Sequence, residues 1–128
     1  MTKIILFLTV LYFCSSLILA DVPYLMFMEG ENAEIWVGTS KNLKRSVGIN
    51  KPIQVYRLCN GNNKKTCGYW ENTKNKKKVV KAPVTRKKGE GYIVLRNVTT
   101  ADSGNYYNGD GIYFQVQVMA PYVPPPAS

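Results

Sequence analysis

Apolar residues return at every second position in several short stretches of this chain, and no amphipathic helix of useful length interrupts them. From Gly30 to Val37, the residues Ala33, Ile35 and Val37 alternate with Glu34 and Trp36, a period of two that predicts a strand. A one-residue shift of register decides whether Trp36 meets solvent or core. Ile53, Val55 and Arg57 alternate with Gln54, Tyr56 and Leu58 in a second strand ending at Cys59, and Cys67 to Glu71 is expected to return beside it. Val79, Val80, Ala82 and Val84 form a short segment with Pro83 inside it; proline removes a ladder donor and assigns the segment to a sheet edge. Tyr92 to Val98 follows, with Ile93, Leu95 and Val98 inward, then Gly104 to Tyr107. Asn108-Gly109-Asp110-Gly111 is a hairpin turn signal. Ile112 to Met119 closes the pattern, with Ile112, Phe114, Val116 and Val118 alternating against Tyr113, Gln115 and Gln117. The pattern predicts an all-β chain.

The two ends read differently. Lys3, the apolar run Ile4 to Phe13 and the small Ala20 before Asp21 predict a secretory signal peptide over residues 1–20. An uncleaved anchor is the alternative, although residues 4–20 lie at the short limit of a spanning helix and include Ser15 and Ser16. Cleavage leaves one domain over 21–119 and a Pro-rich tail over 120–128, expected as an extended polyproline segment. With no second apolar run, no transmembrane segment is expected in the mature chain, and the expected location is secreted and extracellular. Cys14 leaves with the leader. Cys59 and Cys67 remain, and an even pair in an oxidising compartment predicts a disulfide. Its short loop limits the gain to about 2–3 kcal/mol of unfolded-chain entropy.

Chemistry is sparse. The chain has no His, so neither a zinc site of nitrogen and sulfur ligands nor a Cys–His nucleophile can be assembled. There is no G-x-S-x-G elbow, no phosphate-cradling glycine loop and no carboxylate pair. A non-enzymatic protein without metal or cofactor is expected.

The stretch from Ile93 to Tyr106 carries a more specific signal. Its Asp102-x-Gly104-x-Tyr106 spacing, behind the apolar Leu95 and Val98, resembles the corner that precedes strand F in immunoglobulin domains. That resemblance, to a V-set- or I-set-like single domain, implies an immunoglobulin-like antiparallel β-sandwich. It implies that the Tyr106 hydroxyl bonds back to the backbone upstream, that Asp102 is the corner carboxylate and that Gly104 tolerates the turn. It makes Gly30–Val37 strand B, Ile53–Cys59 strand C and Cys67–Glu71 strand C′, with Cys59–Cys67 bridging that hairpin. Val37 and Asn108 stand where the family's inter-sheet disulfide is expected, so apolar packing must replace it, and Val55 or Tyr56 stands in for the buried strand C Trp. The F–G loop is truncated. For Asp102 the candidate partners are Arg86, Lys81 or Lys87, against a carboxylate that only caps its own turn. The alternative architecture is another small β-sandwich or a partly open barrel.

The net charge of +9 is unevenly spread. Between Lys41 and Lys88 the only acid is Glu71, while basic residues crowd the interval, most densely at Lys74, Lys76, Lys77 and Lys78. Lys64 and Lys65 are expected on one side of that run and Arg86, Lys87 and Lys88 on the other, giving one positive side that steers anionic partners. The functional form of this pattern is a site for sulfated glycans, acidic proteins or anionic membrane surfaces; the bland form is a solvated face whose lysines guard strand edges. Lysine far outnumbers arginine, which argues against specific nucleic-acid recognition. Asn97-Val98-Thr99 is an N-glycosylation sequon. The leading expectation is a secreted binding domain for an extracellular or cell-surface protein. Its expected surface is the C–C′ side, where the disulfide tip, Tyr69, Trp70 and the basic run converge. A cationic binder of sulfated glycans or anionic membranes is the alternative, and an oligomerising matrix component a third.

Overall fold

The computed structural model describes residues 22–127, so the leader expected over 1–20 lies outside the described residues. Among the described residues, nine strands form two sheets: β1 (Tyr24–Met28), β2 (Ala33–Trp36), β3 (Asn42–Val47), β4 (Ile53–Arg57), β5 (Trp70–Asn72), β6 (Thr85–Lys88), β7 (Tyr92–Leu95), β8 (Gly104–Tyr107) and β9 (Tyr113–Met119). The larger sheet runs β1-β9-β8-β3-β4-β5 and the smaller β2-β7-β6. All pairs are antiparallel except β1 with β9. This is the immunoglobulin-like sandwich in its variable-type form, with two extra strands beyond β3 on the larger sheet.

Alternation explains the layers. Ala33 and Ile35 of β2, Ile93 and Leu95 of β7, and Phe114, Val116 and Val118 of β9 meet between the sheets with Leu43, Val47, Val98 and Tyr106. The expected strands at 53–58, 92–98, 104–107 and 112–119 are present, trimmed at their ends. Trp36 faces out and is 52% exposed.

Two strands were absent from the sequence pattern. In β1 every residue is apolar, so no alternation marks it, yet Leu25 and Phe27 pack on the core while Tyr24, Met26 and Met28 face out. In β3 the inward residues are Leu43, Arg45 and Val47, and the charge in the middle breaks the apolar period. Because β3 lies between β8 and β4, the strand at 53–57 is shifted one place from its expected role: β3 is the central strand, β4 takes the C′ position, and β5 takes the position beyond it. Cys59 and Cys67 are bonded, and the bridge pins the β4–β5 hairpin.

The edge segment is also displaced. Residues 79–84 form a turn, with Val80 and Val84 exposed and the Ala82 amide donating to the Val79 carbonyl, and the edge strand begins only at Thr85. Proline removes a donor at 83, and the ladder resumes once that position is passed.

Candidate functional site

At the centre of the sandwich lies a charged residue. Arg45, 2% exposed, donates from Nη1 to Asp102 Oδ1 (2.9 Å) and to the Tyr106 hydroxyl (3.0 Å), and from Nε to Gln54 Oε1 (2.7 Å). Its guanidinium carbon sits 4.4 Å from the Trp70 ring centre and 5.8 Å from that of Tyr106. A buried cation is tolerated only when paired and hydrogen-bonded, and here both conditions are met. Asp102 is therefore held by Arg45, and not by Arg86, Lys81 or Lys87. Arg86 lies on the outer side of its sheet, in register with Val94, and cannot reach the core. Asp102 also caps its own turn, since Oδ2 accepts from the Thr99 amide at 2.8 Å, so pairing and capping coexist.

At the corner, the Tyr106 hydroxyl donates to the Asp102 carbonyl at 2.7 Å. Burial pushes that hydroxyl up to about 12, with Arg45 pulling the other way. Burial also raises Tyr56, whose hydroxyl donates to the Thr85 carbonyl, against the opposing charge of Arg86. Gly104 adopts φ +157°, a backbone conformation that residues with a side chain rarely take, and a second constraint acts there. A Cβ there would lie 2.2 Å from the Ser46 carbonyl oxygen, so glycine is required by the close approach of β3. The Val37–Asn108 contact also departs from apolar packing. Asn108 Nδ2 donates to the Val37 carbonyl (3.1 Å), and its Oδ1 accepts from the Asp110 and Ile112 amides. One side chain thus ties the β8–β9 turn to the opposite sheet.

Trp70, expected on the partner surface, is 2% exposed. It projects inward from β5, its Nε1 donating to Thr85 Oγ1 at 2.8 Å, and packs at 5.5 Å from Tyr56 and 6.3 Å from Tyr106. It is the aromatic plug that Val55 or Tyr56 was expected to supply; Tyr56 is buried beside it. Tyr69 is half-buried, with the Lys78 ammonium 5.5 Å from its ring.

The basic residues do not form one patch. Lys64 and Lys65 sit on the hairpin tip beyond the disulfide, past the Arg57 end of β4. Lys74, Lys76 and Lys77 occupy the turn after β5, where the Thr73 amide donates to the Ile53 carbonyl, at the opposite end of β4. Lys78 bridges back to Glu71. Arg86 and Lys88 face outward on the smaller sheet, Lys88 paired with Glu34. Lys87 lies at that sheet's edge, beside a groove of about 280 Å³ shared with Lys41, Arg57, Cys59, Asn60 and Asn63. The basic side chains are therefore divided between the two ends of β4, the β5–β6 edge and the outer face of the smaller sheet.

The outer face of the larger sheet has another character, which sequence reasoning missed because β1 and β3 were missed. Register places Tyr24, Met26 and Met28 of β1 beside Gln115, Gln117 and Met119 of β9, and Tyr107 of β8 between Tyr113 and Lys44. Tyr107 and Tyr113 stack with centres 6.3 Å apart. Tyr24 donates to Gln117 Oε1, and farther along the face Arg57 pairs with Glu71 across Val55. Met26 is 59% exposed and Tyr113 42%. The face is broad, aromatic and methionine-rich, with few charges, the composition that marks interface centres.

Among the described residues no group of His, Cys, Asp and Glu is placed to hold a metal ion, and no helix is long and apolar enough to cross a membrane. Asn97 and Thr99 of the sequon are both exposed.

No family model matches the chain. No curated protein matches it either. Among solved structures, the first Ig-like domain of human CD48 antigen is similar at 14% identity and a TM-score of 0.40, over 84% of this chain and 90% of that domain. The second Ig domain of the mouse polymeric immunoglobulin receptor is similar at 11% identity and a TM-score of 0.40, over 81% of this chain and 100% of that domain. What makes this domain immunoglobulin-like is its own strand order and tyrosine corner, and not these superpositions.

Proposed function

We propose that this protein is a secreted, non-enzymatic immunoglobulin-like binding domain that recognises an extracellular or cell-surface protein through the outer face of its six-stranded sheet. The observation that carries this reading is the run of exposed Tyr24, Met26, Met28, Met119 and Tyr113 on one flat surface with few charges. Aromatic and methionine side chains are enriched at the centres of protein interfaces, and charged ones are depleted. The lysines around β4, β5 and β6 support the alternative, in which Lys64, Lys65, Lys74, Lys76, Lys77, Lys78 and Lys87 hold sulfated glycans or anionic membranes. A glycan on Asn97 belongs to the same secreted protein.

Cell staining tests the proposal. The full chain is expressed through a secretory pathway, tetramerised and applied to cells with and without heparinase treatment. Staining that survives the enzyme and raised salt, and disappears in the Met26→Lys/Tyr113→Lys variant, is the expected outcome. Staining abolished by heparinase, and lost when Lys74, Lys76, Lys77 and Lys78 become Ala, establishes the alternative.

A further inference from the structure

The outer face of the smaller sheet carries a second constellation, independent of the reading above; its failure would leave that reading standing. Three rows cross this face. Trp36 lies beside Tyr92 and Lys88, Glu34 lies beside Val94 and Arg86, and Arg96 follows Val94 on the same side of β7. Trp36 and Tyr92 are both exposed. The indole of Trp36 is seated on backbone: a Cβ at Gly38 would come within 3.2 Å of its six-membered ring, and one at Gly91 within 3.2 Å of Nε1. Both glycines have positive φ (60° and 86°), a conformation that favours glycine by itself, and the ring lies close over them. The indole is thus held in one place while half of it stays open to solvent, and its Nε1 has no hydrogen-bond partner among the described residues.

Next to this platform is a hollow of about 290 Å³, lined by Asn32, Glu34, Arg86, Lys88, Val94 and Arg96 among others. Its acid is already engaged, since Glu34 pairs with Lys88. Arg86 and Arg96 have no ionic partner among the described residues. Trp36 does not line the hollow but stands one row away from it, while the hollow sets two free guanidinium forks over the apolar floor of Val94, so the face offers two kinds of contact. One is a flat apolar surface; the other is planar, bidentate recognition of an anion.

We infer that this face binds an anionic saccharide, with the apolar C–H side of a sugar ring against Trp36 and its carboxylate or sulfate held by Arg86 and Arg96. Size favours a saccharide over a folded partner. Three strands of four residues cover roughly 200 Å² of sheet, well below the ~800 Å² each partner contributes to a stable protein complex. The site also differs from the Lys-rich edge, because Arg96 belongs to it and Lys74 to Lys78 do not.

Tryptophan fluorescence reads this site directly. The chain has two Trp, and Trp70 is 2% exposed, so collisional quenching by acrylamide reports Trp36. The probes are a sulfated heparin oligosaccharide, a hyaluronan oligosaccharide carrying carboxylates alone, and a glutamate-rich peptide. Protection of Trp36 by either saccharide is expected, with binding weakened about tenfold or more in the Arg86→Gln/Arg96→Gln variant. The hyaluronan arm tells whether carboxylate alone suffices. No protection by either saccharide, protection by the peptide alone, or equal protection in the arginine variant would overturn the assignment.

Discussion

Arg45 and Lys74 carry the same charge in opposite settings. Arg45 is buried, has three hydrogen-bond partners and lies over an indole, and every donor direction that matters is taken. Lys74, with Lys76 and Lys77, sits in an exposed turn and has no ionic partner among the described residues. A count of basic residues treats them alike, and the energetics do not. The buried cation joins β3 to the corner before β8 and to Trp70 of β5, so it organises the core. The exposed cations contribute little to folding and are free to meet ligands. Net charge therefore says nothing about which cations are structural; burial and partners decide.

The largest expected effect breaks the buried side of that contrast. Arg45→Ala leaves Asp102 in the core without its counter-ion and should cost about 3–5 kcal/mol in denaturant unfolding. Asp102→Ala should cost a comparable amount, and the double variant should lose much less than the sum, because both changes remove one pair. Additive losses would show that capping and pairing act separately.

Alkali offers a second probe of the same cluster. The folded state holds the Tyr106 hydroxyl at about 12 against its ordinary value of 10.0. A raised folded value means that the contribution is complete below pH 10 and disappears as pH climbs through 12. The loss across that window should be about 2–3 kcal/mol. Unfolding midpoints measured alongside tyrosinate absorbance check this; stability that stays flat up to pH 12 would contradict the burial of Tyr106.

Removing the disulfide with Cys59→Ser/Cys67→Ser should cost about 2–3 kcal/mol, with amide exchange rising first in the hairpin tip around Lys64 and Lys65. At the small end, Ala at Lys74, Lys76, Lys77 and Lys78 should move stability by no more than about 0.5 kcal/mol. A larger fall in melting temperature would mean that those lysines, like Arg45, have partners that matter.

Much of the fold was legible, for identifiable reasons. Strict alternation in Ile112–Met119 and the Asp102, Gly104 and Tyr106 spacing gave β9 and the corner directly, because both are local patterns. Strand β3 was hidden because its central inward residue is Arg45, and an arginine inside a period-two pattern looks like a loop until its partners are known. Those partners, Gln54, Asp102 and Tyr106, are 9, 57 and 61 residues away, and nothing local announces them. Trp70 was placed outside for a related reason, since the strand that buries it is only three residues long and shows no period. The broad Tyr and Met face followed β1 and β3 out of view. Arg96 was passed over because it stands outside the basic run and joins Arg86 only through the pairing of β6 with β7.

The covalent bond of this domain lies inside one hairpin, while its two sheets meet only through side-chain packing and hydrogen bonds. In a reducing cytosol a sandwich that depends on a bond between its sheets comes apart, whereas here reduction frees one loop tip and leaves Arg45, Trp70 and Asn108 in place. Reduction is therefore expected to lower stability by the bond's own share, about 2–3 kcal/mol, without opening the contact between the sheets.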